Sequence, residues 1–265
     1  MMSWWPFPPK TREVQFDEKW AFVCKKQEHC GSQADGWCGD SWDHVAFDPE
    51  HRLVISVVPG KRTAENCRKL IEEFRRRTQG RIMHLMTSDD YPSYKVAIQD
   101  VYGLRSVPLR LAQPERGRPR KIIVKHMPPG LNYARICKQR KNGRVVKVFV
   151  EIVFGSEASI QAALKRSRVS RAINIAFVER HNGTDRHRNA RKIRRTYRFS
   201  KDWQMHDAMT YFTTYSYNFC WPVRTLVRID EAGVHHPQTP AMAAGLTNHV
   251  WPLTEWIRVP LTQLS

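Results

Sequence analysis

From Val14 to Lys25 polar and apolar residues alternate, with Val14, Phe16, Trp20 and Phe22 on one side and Asp17, Ala21 and Val23 on the other. A period of two predicts a strand. Two further apolar runs, Trp42 to Phe47 and Leu53 to Val58, flank Asp48-Pro49-Glu50-His51 and predict a hairpin that Pro59-Gly60 ends. Thr63 is then expected to cap a helix reaching about Thr78, because Cys67, Leu70, Ile71 and Phe74 recur at helical spacing. Arg81 to Thr87 is short and mostly apolar, which suits a buried strand. It runs into Ser88-Asp89-Asp90-Tyr91-Pro92-Ser93-Tyr94, and a helix is expected after Pro92.

The stretch from Ser106 to Gly130 is rich in Pro, Arg and Gly and reads as a basic surface loop. Leu131 to Gln139 and Arg144 to Phe154 flank Asn142-Gly143, a strong hairpin signal. Residues 106–155 therefore read as an insertion, a basic loop followed by a β-hairpin. Gly155-Ser156 is expected to open a helix to about Arg166. Asn174 is the expected N-cap of another helix, with Ile175, Phe177 and Val178 buried and Gly183 as its stop. Ser200 is expected to cap a long helix from Lys201 to about Phe219, its buried stripe being Met205, Ala208, Met209, Phe212, Tyr215 and Phe219. Pro240 to Trp256 predicts a small helical unit. The expected division is an N-terminal arm at 1–13, a main domain at 14–226 and a C-terminal helical tail at 227–265. The prolines of Trp4-Trp5-Pro6-Phe7-Pro8-Pro9 keep the arm from being a helix or a central strand.

Charge narrows the partner. The 44 Lys and Arg against 25 Asp and Glu give a formal charge of +19 over 265 residues, a self-repulsion that a polyanion offsets. Nucleic acid is the leading class. An anionic membrane surface is disfavoured because no basic amphipathic helix stands out. No apolar run approaches the length of a bilayer span, and Met1 to Lys10 lacks the charged-then-apolar order of a signal peptide, so a soluble, cytoplasmic chain is expected. Cys24, Cys30 and Cys38, with His29 and His44 nearby, match no compact C-x-x-C pairing; reduced thiols are expected rather than zinc.

Three acids carry the candidate chemistry. Asp17 sits within a sheet strand, where an acid is costly unless it meets a cation or a metal. Asp89 and Asp90 follow the carboxyl end of a buried strand, where α/β sheets place their ligands; one is expected to cap the next helix and one to point at the site. Glu179 lies in an apolar helical patch, followed by Arg186, Arg188, Arg191, Lys192, Arg194, Arg195, Arg198 and Lys201. It reads either as an ion-paired surface acid or as an acid meant to meet phosphates. The element order βββαβα…α fits a ribonuclease-H-like fold of the α/β class, a mixed five-stranded sheet flanked by helices. In that sheet the first and fourth strands lie side by side, so Asp17 and Asp89 converge and a late helix supplies Glu179. Three carboxylates in one cleft repel, and a pair of Mg²⁺ ions, with Mn²⁺ as substitute, relieves that repulsion. Two such ions about 3.5–4 Å apart serve in-line phosphoryl displacement. His181 and Asn182, within a turn of Glu179, are candidate supports of the site. Tyr91, Tyr94 and His206 are expected to be structural.

Asp17-Glu18-x-Trp20-x-Phe22-Val23, Thr87-Ser88-Asp89-Asp90-Tyr91-x-x-Tyr94 and Phe177-Val178-Glu179-Arg180-His181-Asn182 together resemble bacterial insertion-sequence transposases of the family typified by insertion sequence one. Arg194-Arg195-Thr196-x-Arg198-Phe199-Ser200-Lys201, His206 and Tyr217-Asn218-Phe219 resemble that family's closing segment, and the resemblance spans about residues 14 to 226. It implies an Asp-Asp-Glu triad at Asp17, Asp89 and Glu179, holding Mg²⁺ to cut and rejoin double-stranded DNA at element ends. Glu18 and Asp90 adjoin the first two acids, and a shift of one residue would exchange either pair. The resemblance further implies a homodimer when DNA-bound and a nucleoid-associated bacterial location. It also implies a zinc-finger and helix-turn-helix region, which precedes the catalytic part in that family and is expected here from a separate or upstream frame. The competing expectations are a metal-dependent nuclease on the same fold and a catalytically inactive DNA-binding remnant.

Overall fold

The computed structural model describes residues 10–31, 36–105, 109–110, 121–122, 125–193 and 195–258. The proline-rich arm through Pro9, most of the basic loop and Arg194 lie outside the described residues.

The architecture is mixed α/β. Six strands form one sheet: β1 (Glu13–Val23), β2 (Gly39–Asp48), β3 (Leu53–Gly60), β4 (Leu85–Asp89), β5 (Tyr133–Lys141) and β6 (Arg144–Phe154). Their order across the sheet is β6-β5-β4-β1-β2-β3. The β1–β4 and β4–β5 pairs are parallel; β1–β2, β2–β3 and β5–β6 are antiparallel. The expected count of five is corrected to six. Both strands of the supposed inserted hairpin belong to this sheet, because β5 continues it in register beyond β4, with Asp89 opposite Ile136. Asn142 and Gly143, both at positive φ, make the predicted tight turn.

The period-two pattern of β1 divides the helices between two faces. Val14 and Phe16 face α1 (Ala64–Arg77) and α2 (Ser93–Tyr102), where Phe16 meets Phe74 at 5.5 Å and Tyr94 at 5.6 Å between ring centroids. The expected stripe Cys67, Leu70, Ile71 and Phe74 is wholly buried, and the side chain of Thr63 caps α1. On the other face, α3 (Glu157–Arg166), opened by a capping box at Ser156 and Ser159, packs Ile160 and Ala163 against Leu85 and Ala134.

The helix α4 (Ala176–Arg188) lies on that same face and is held by alternate residues of β1. Gln15 Oε1 accepts the backbone N–H groups of Phe177 and Val178 at 3.1 and 3.0 Å, filling two orphan donors at the helix start. Asn174 accepts from Ala176 N at 3.1 Å. One turn on, Asn182 Nδ2 donates to Asp17 Oδ2 at 2.7 Å, and further along Lys19 pairs with Asp185. Gly183 does not stop α4, a second correction; the buried Lys19–Asp185 pair carries the helix past it to Arg188.

The long helix is α5 (Trp203–Cys220), capped by Asp202 in place of the expected Ser200. Its buried side carries His206, Thr210, Thr214, Tyr215, Tyr217, Asn218 and Phe219, while Met205, Ala208 and Phe212 are exposed. The expected apolar stripe holds at Tyr215 and Phe219 and fails at Met205, Ala208 and Phe212, for a physical reason. Part of this face covers buried charge: Thr210 accepts from Lys192, and Thr213 reaches Asp185 at 3.4 Å. Asn218 exchanges two hydrogen bonds with the backbone of Val54, covering part of the outer edge of β3. Instead of one helical unit, the tail forms α6 (Pro240–Ala243) and α7 (Leu253–Arg258). Ala241 and Ala244 join the main core, and Trp251 and Trp256 pack on Phe219. No helix among the described residues is long and apolar enough to cross a membrane.

Candidate active site

The parallel register sets Phe16 opposite Ser88, so Asp17 and Asp89 leave β1 and β4 at the same level, where β4 ends. Beyond Asp89 the chain turns away: Asp89 Oδ1 accepts from Tyr91 N at 3.1 Å, and α2 begins at Ser93. The space β4 vacates is bordered by β1 and β5, and acids from two faces of β1 reach it. Ligand oxygens of Asp17, Glu18 and Asp89 lie within 4.8 Å of one another, the one such group of three or more His, Cys, Asp or Glu among the described residues.

Burial makes this cluster reluctant to ionise. Asp17 is pushed up to about 7 by burial, then by the charge of Asp89 and of Glu179, against hydrogen bonds from the Glu18 backbone and Asn182. Glu18 is pushed up to about 8 by burial and Asp89, with the Arg62 guanidinium opposing. Asp89 is raised too, chiefly by burial. Arg62 lies 3.4 Å from Glu18 and 3.9 Å from Asp89, and its guanidinium stacks over Tyr91 at 4.2 Å. Packed oxygen donors that share so little cation suit a hard divalent ion.

Glu179 is outside that tight group. Its side chain is 50% exposed and meets Lys138 of β5 at 3.5 Å. It still borders the site, since its charge raises Asp17 and Asn182, three residues later on α4, holds Asp17 directly. Asp90, the neighbour that could have replaced Asp89, is exposed. Among the candidate supports, Asn182 reaches the site. His181 does not: its ring is buried, 4.9 Å from both Phe47 and Tyr217, and burial pushes its pKa down to about 3.

The basic run divides in the same way. Arg195, Arg198 and Lys201 are exposed, and Arg186 and Arg191 are half-buried. Arg188 is half-buried, its guanidinium over Trp221 at 3.9 Å and Tyr217 at 4.7 Å. Lys192 is a correction: its ammonium is wholly buried against Asp43 and Thr210. With Lys19, 3.0 Å from Asp43 and paired with Asp185, it completes a network of two lysines and two aspartates. Against the cost of burial, Lys192 and Lys19 hold Asp43 below the usual carboxylate range. His206, also fully buried, bonds Ser200 at 2.8 Å and is structural.

All six cysteines are free, and the sulfurs of Cys30 and Cys38 lie 2.9 Å apart. A cleft of about 1020 Å³ lies between α4, α5 and Val250–Leu253 and holds none of the acids. Arg62 was missed in the sequence reading, and Glu18 entered it only as a possible replacement for Asp17. Glu18 had a signal, as the acid that breaks the apolar side of β1 between Phe16 and Trp20. Compared with models of known protein families and with curated proteins, the chain matches none.

Proposed function

We propose that the chain is the catalytic part of a DDE-type DNA transposase, a metal-dependent phosphoryl-transfer enzyme acting on DNA ends. The observation that carries this reading is the meeting of Asp17 and Asp89 on adjacent parallel strands, with α4 tied across them by Gln15, Asn182 and the Lys19–Asp185 pair. The order β3-β2-β1-β4-β5 with β2 antiparallel supports a ribonuclease-H-like sheet, extended here by β6.

Asp17 and Asp89 would hold the cation, with Glu18 or Glu179 as the third carboxylate. Divalent cations there would polarise a phosphate oxygen and make a bound hydroxyl or water a better nucleophile. The chain's own part is placement. Asn182 fixes one oxygen of Asp17. Arg62 tempers the repulsion at Glu18 and Asp89 without closing a short pair. Lys138 holds Glu179 at the mouth, where a 3.5 Å exposed pair is weak and exchangeable. Exposed Arg195, Arg198 and Lys201 would follow the phosphate backbone.

The test uses the full chain with Mg²⁺ and duplex DNA. Asp17→Asn and Asp89→Asn each lower strand cleavage by roughly a thousandfold or more, the loss expected of a group that acts in the transition state, while DNA binding and its salt dependence persist. Replacing Arg195, Arg198 and Lys201 by Ala does the converse, flattening the salt slope. Cleavage retained by both Asp variants would refute the site. A metal-dependent nuclease is the second reading, favoured by the tight cluster containing Glu18 and not Glu179. It predicts that Glu18→Gln costs more cleavage than Glu179→Gln and that no cut end is joined to a second duplex.

A further inference from the structure

The two edges of the sheet are finished differently. At β3 the side chain of Asn218 engages the strand backbone. At β6, an eleven-residue edge strand, no described strand pairs on the outer side. Val145, Val146, Val148, Phe149, Val150 and Ile152 are between 37% and 58% exposed. A long apolar edge is an aggregation hazard that proteins blunt with charge, proline or a cover, or use for strand addition.

The pattern of β6 is self-complementary. Around Phe149 the sequence Val145-Val146-Lys147-Val148-Phe149-Val150-Glu151-Ile152-Val153 reads alike in both directions, except that Lys147 mirrors Glu151 and Val146 mirrors the similar Ile152. Lys147 through Ile152 pair with β5 without interruption, and the two irregularities fall outside them, at Val145/Lys147 and Ile152/Phe154. We infer that β6 pairs antiparallel with β6 of a second copy about a two-fold axis at Phe149. Lys147 then faces Glu151 of the partner twice, Phe149 meets its own copy between them, and Val148 meets Val150 on the other face. A two-fold interface requires this kind of self-matching, and opposite charges directly across the strands fix the register. An acidic peptide or a nucleic acid would leave one of the two charges opposed by a like charge. A second copy sets opposite charges at both contacts, with Glu151 also held by Arg135 of its own β5 at 2.9 Å.

The pairing makes one twelve-stranded sheet with both acidic clusters near the level of the axis, because Asp89 lies opposite Ile136 and Ile136 opposite Val150. It stands on β6 alone and does not depend on the activity proposed above.

Sedimentation equilibrium of the full chain tests it. The unaltered chain is expected to be a reversible dimer. Glu151→Lys sets Lys147 against lysine at both contacts and raises the dissociation constant by roughly tenfold or more. Adding Lys147→Glu in the same chain restores opposite charges and returns the constant to within a few-fold. Val148→Lys with Val150→Lys gives a monomer whose melting temperature matches that of the unaltered chain at low concentration. A monomeric unaltered chain would overturn the inference. So would a dimer indifferent to both Glu151→Lys and the valine changes, or a charge reversal that fails to rescue.

Discussion

In metal-free buffer at pH 8, Asp17→Asn melts higher than the unaltered chain, by roughly 4–8 °C, and no longer gains stability from Mn²⁺. Asp17 is pushed up to about 7 and Glu18 to about 8 by burial and by Asp89. The sign follows from which state holds the proton. An acid raised on folding binds its proton more tightly in the native state, so its favourable contribution is complete below the unfolded value near 3.8 and is lost as pH rises through about 7. At pH 8 the folded chain carries these carboxylates ionised and crowded. The full penalty at Asp17 is on the order of 4 kcal/mol, and local relaxation and solvent reduce it. Asn removes one charge, and its amide oxygen can still accept from Asn182. At pH 5 the difference in melting temperature should shrink severalfold, because Asp17 is then protonated. A difference of equal size at both pH values would assign the effect to packing and remove the electrostatic account of the cluster.

The second large effect is at Lys192, in the middle of a basic run whose other described members are exposed or half-buried. Lys192→Met leaves Asp43 buried with Lys19 as its one remaining cation, already shared with Asp185. Breaking a buried pair by removing one partner costs about 3–5 kcal/mol, since the surviving charge keeps its burial penalty. For a chain of this length that lowers the melting temperature by roughly 10 °C. Arg198→Met, a few residues away and exposed, should change stability by no more than about 0.5 kcal/mol. Urea unfolding of the two variants decides. Equal effects would return Lys192 to the solvated surface.

These two cases show what a sequence exposes and what it conceals. Alternation in β1, the stripe of α1, the caps at Thr63 and Ser156 and the turn at Asn142-Gly143 are local signals, and each produced the element it announced. The adjacency of Asp17 and Asp89 was also legible, because element order alone sets which strands can neighbour. Gln15 was not, since it caps α4 from a strand more than 160 residues earlier. Gly183 and Lys192 failed for the same reason: their fates depend on Asp185 and Asp43, side chains brought to them only by the fold. The face of α5 was assigned correctly only at Tyr215 and Phe219, because apolar spacing was sought, whereas the earlier part of that face covers a charge network and calls for hydroxyls. Glu18 was a near miss, named as a neighbour of Asp17 and placed by the structure in the cluster itself.

The most direct measurement is anomalous scattering from a crystal soaked in Mn²⁺. The account predicts metal bound jointly by Asp17 and Asp89, at about 2.0–2.2 Å from their oxygens, with Glu18 or Glu179 completing the set. Carboxylates turned to Arg62 and Lys138 with no metal between them would contradict it.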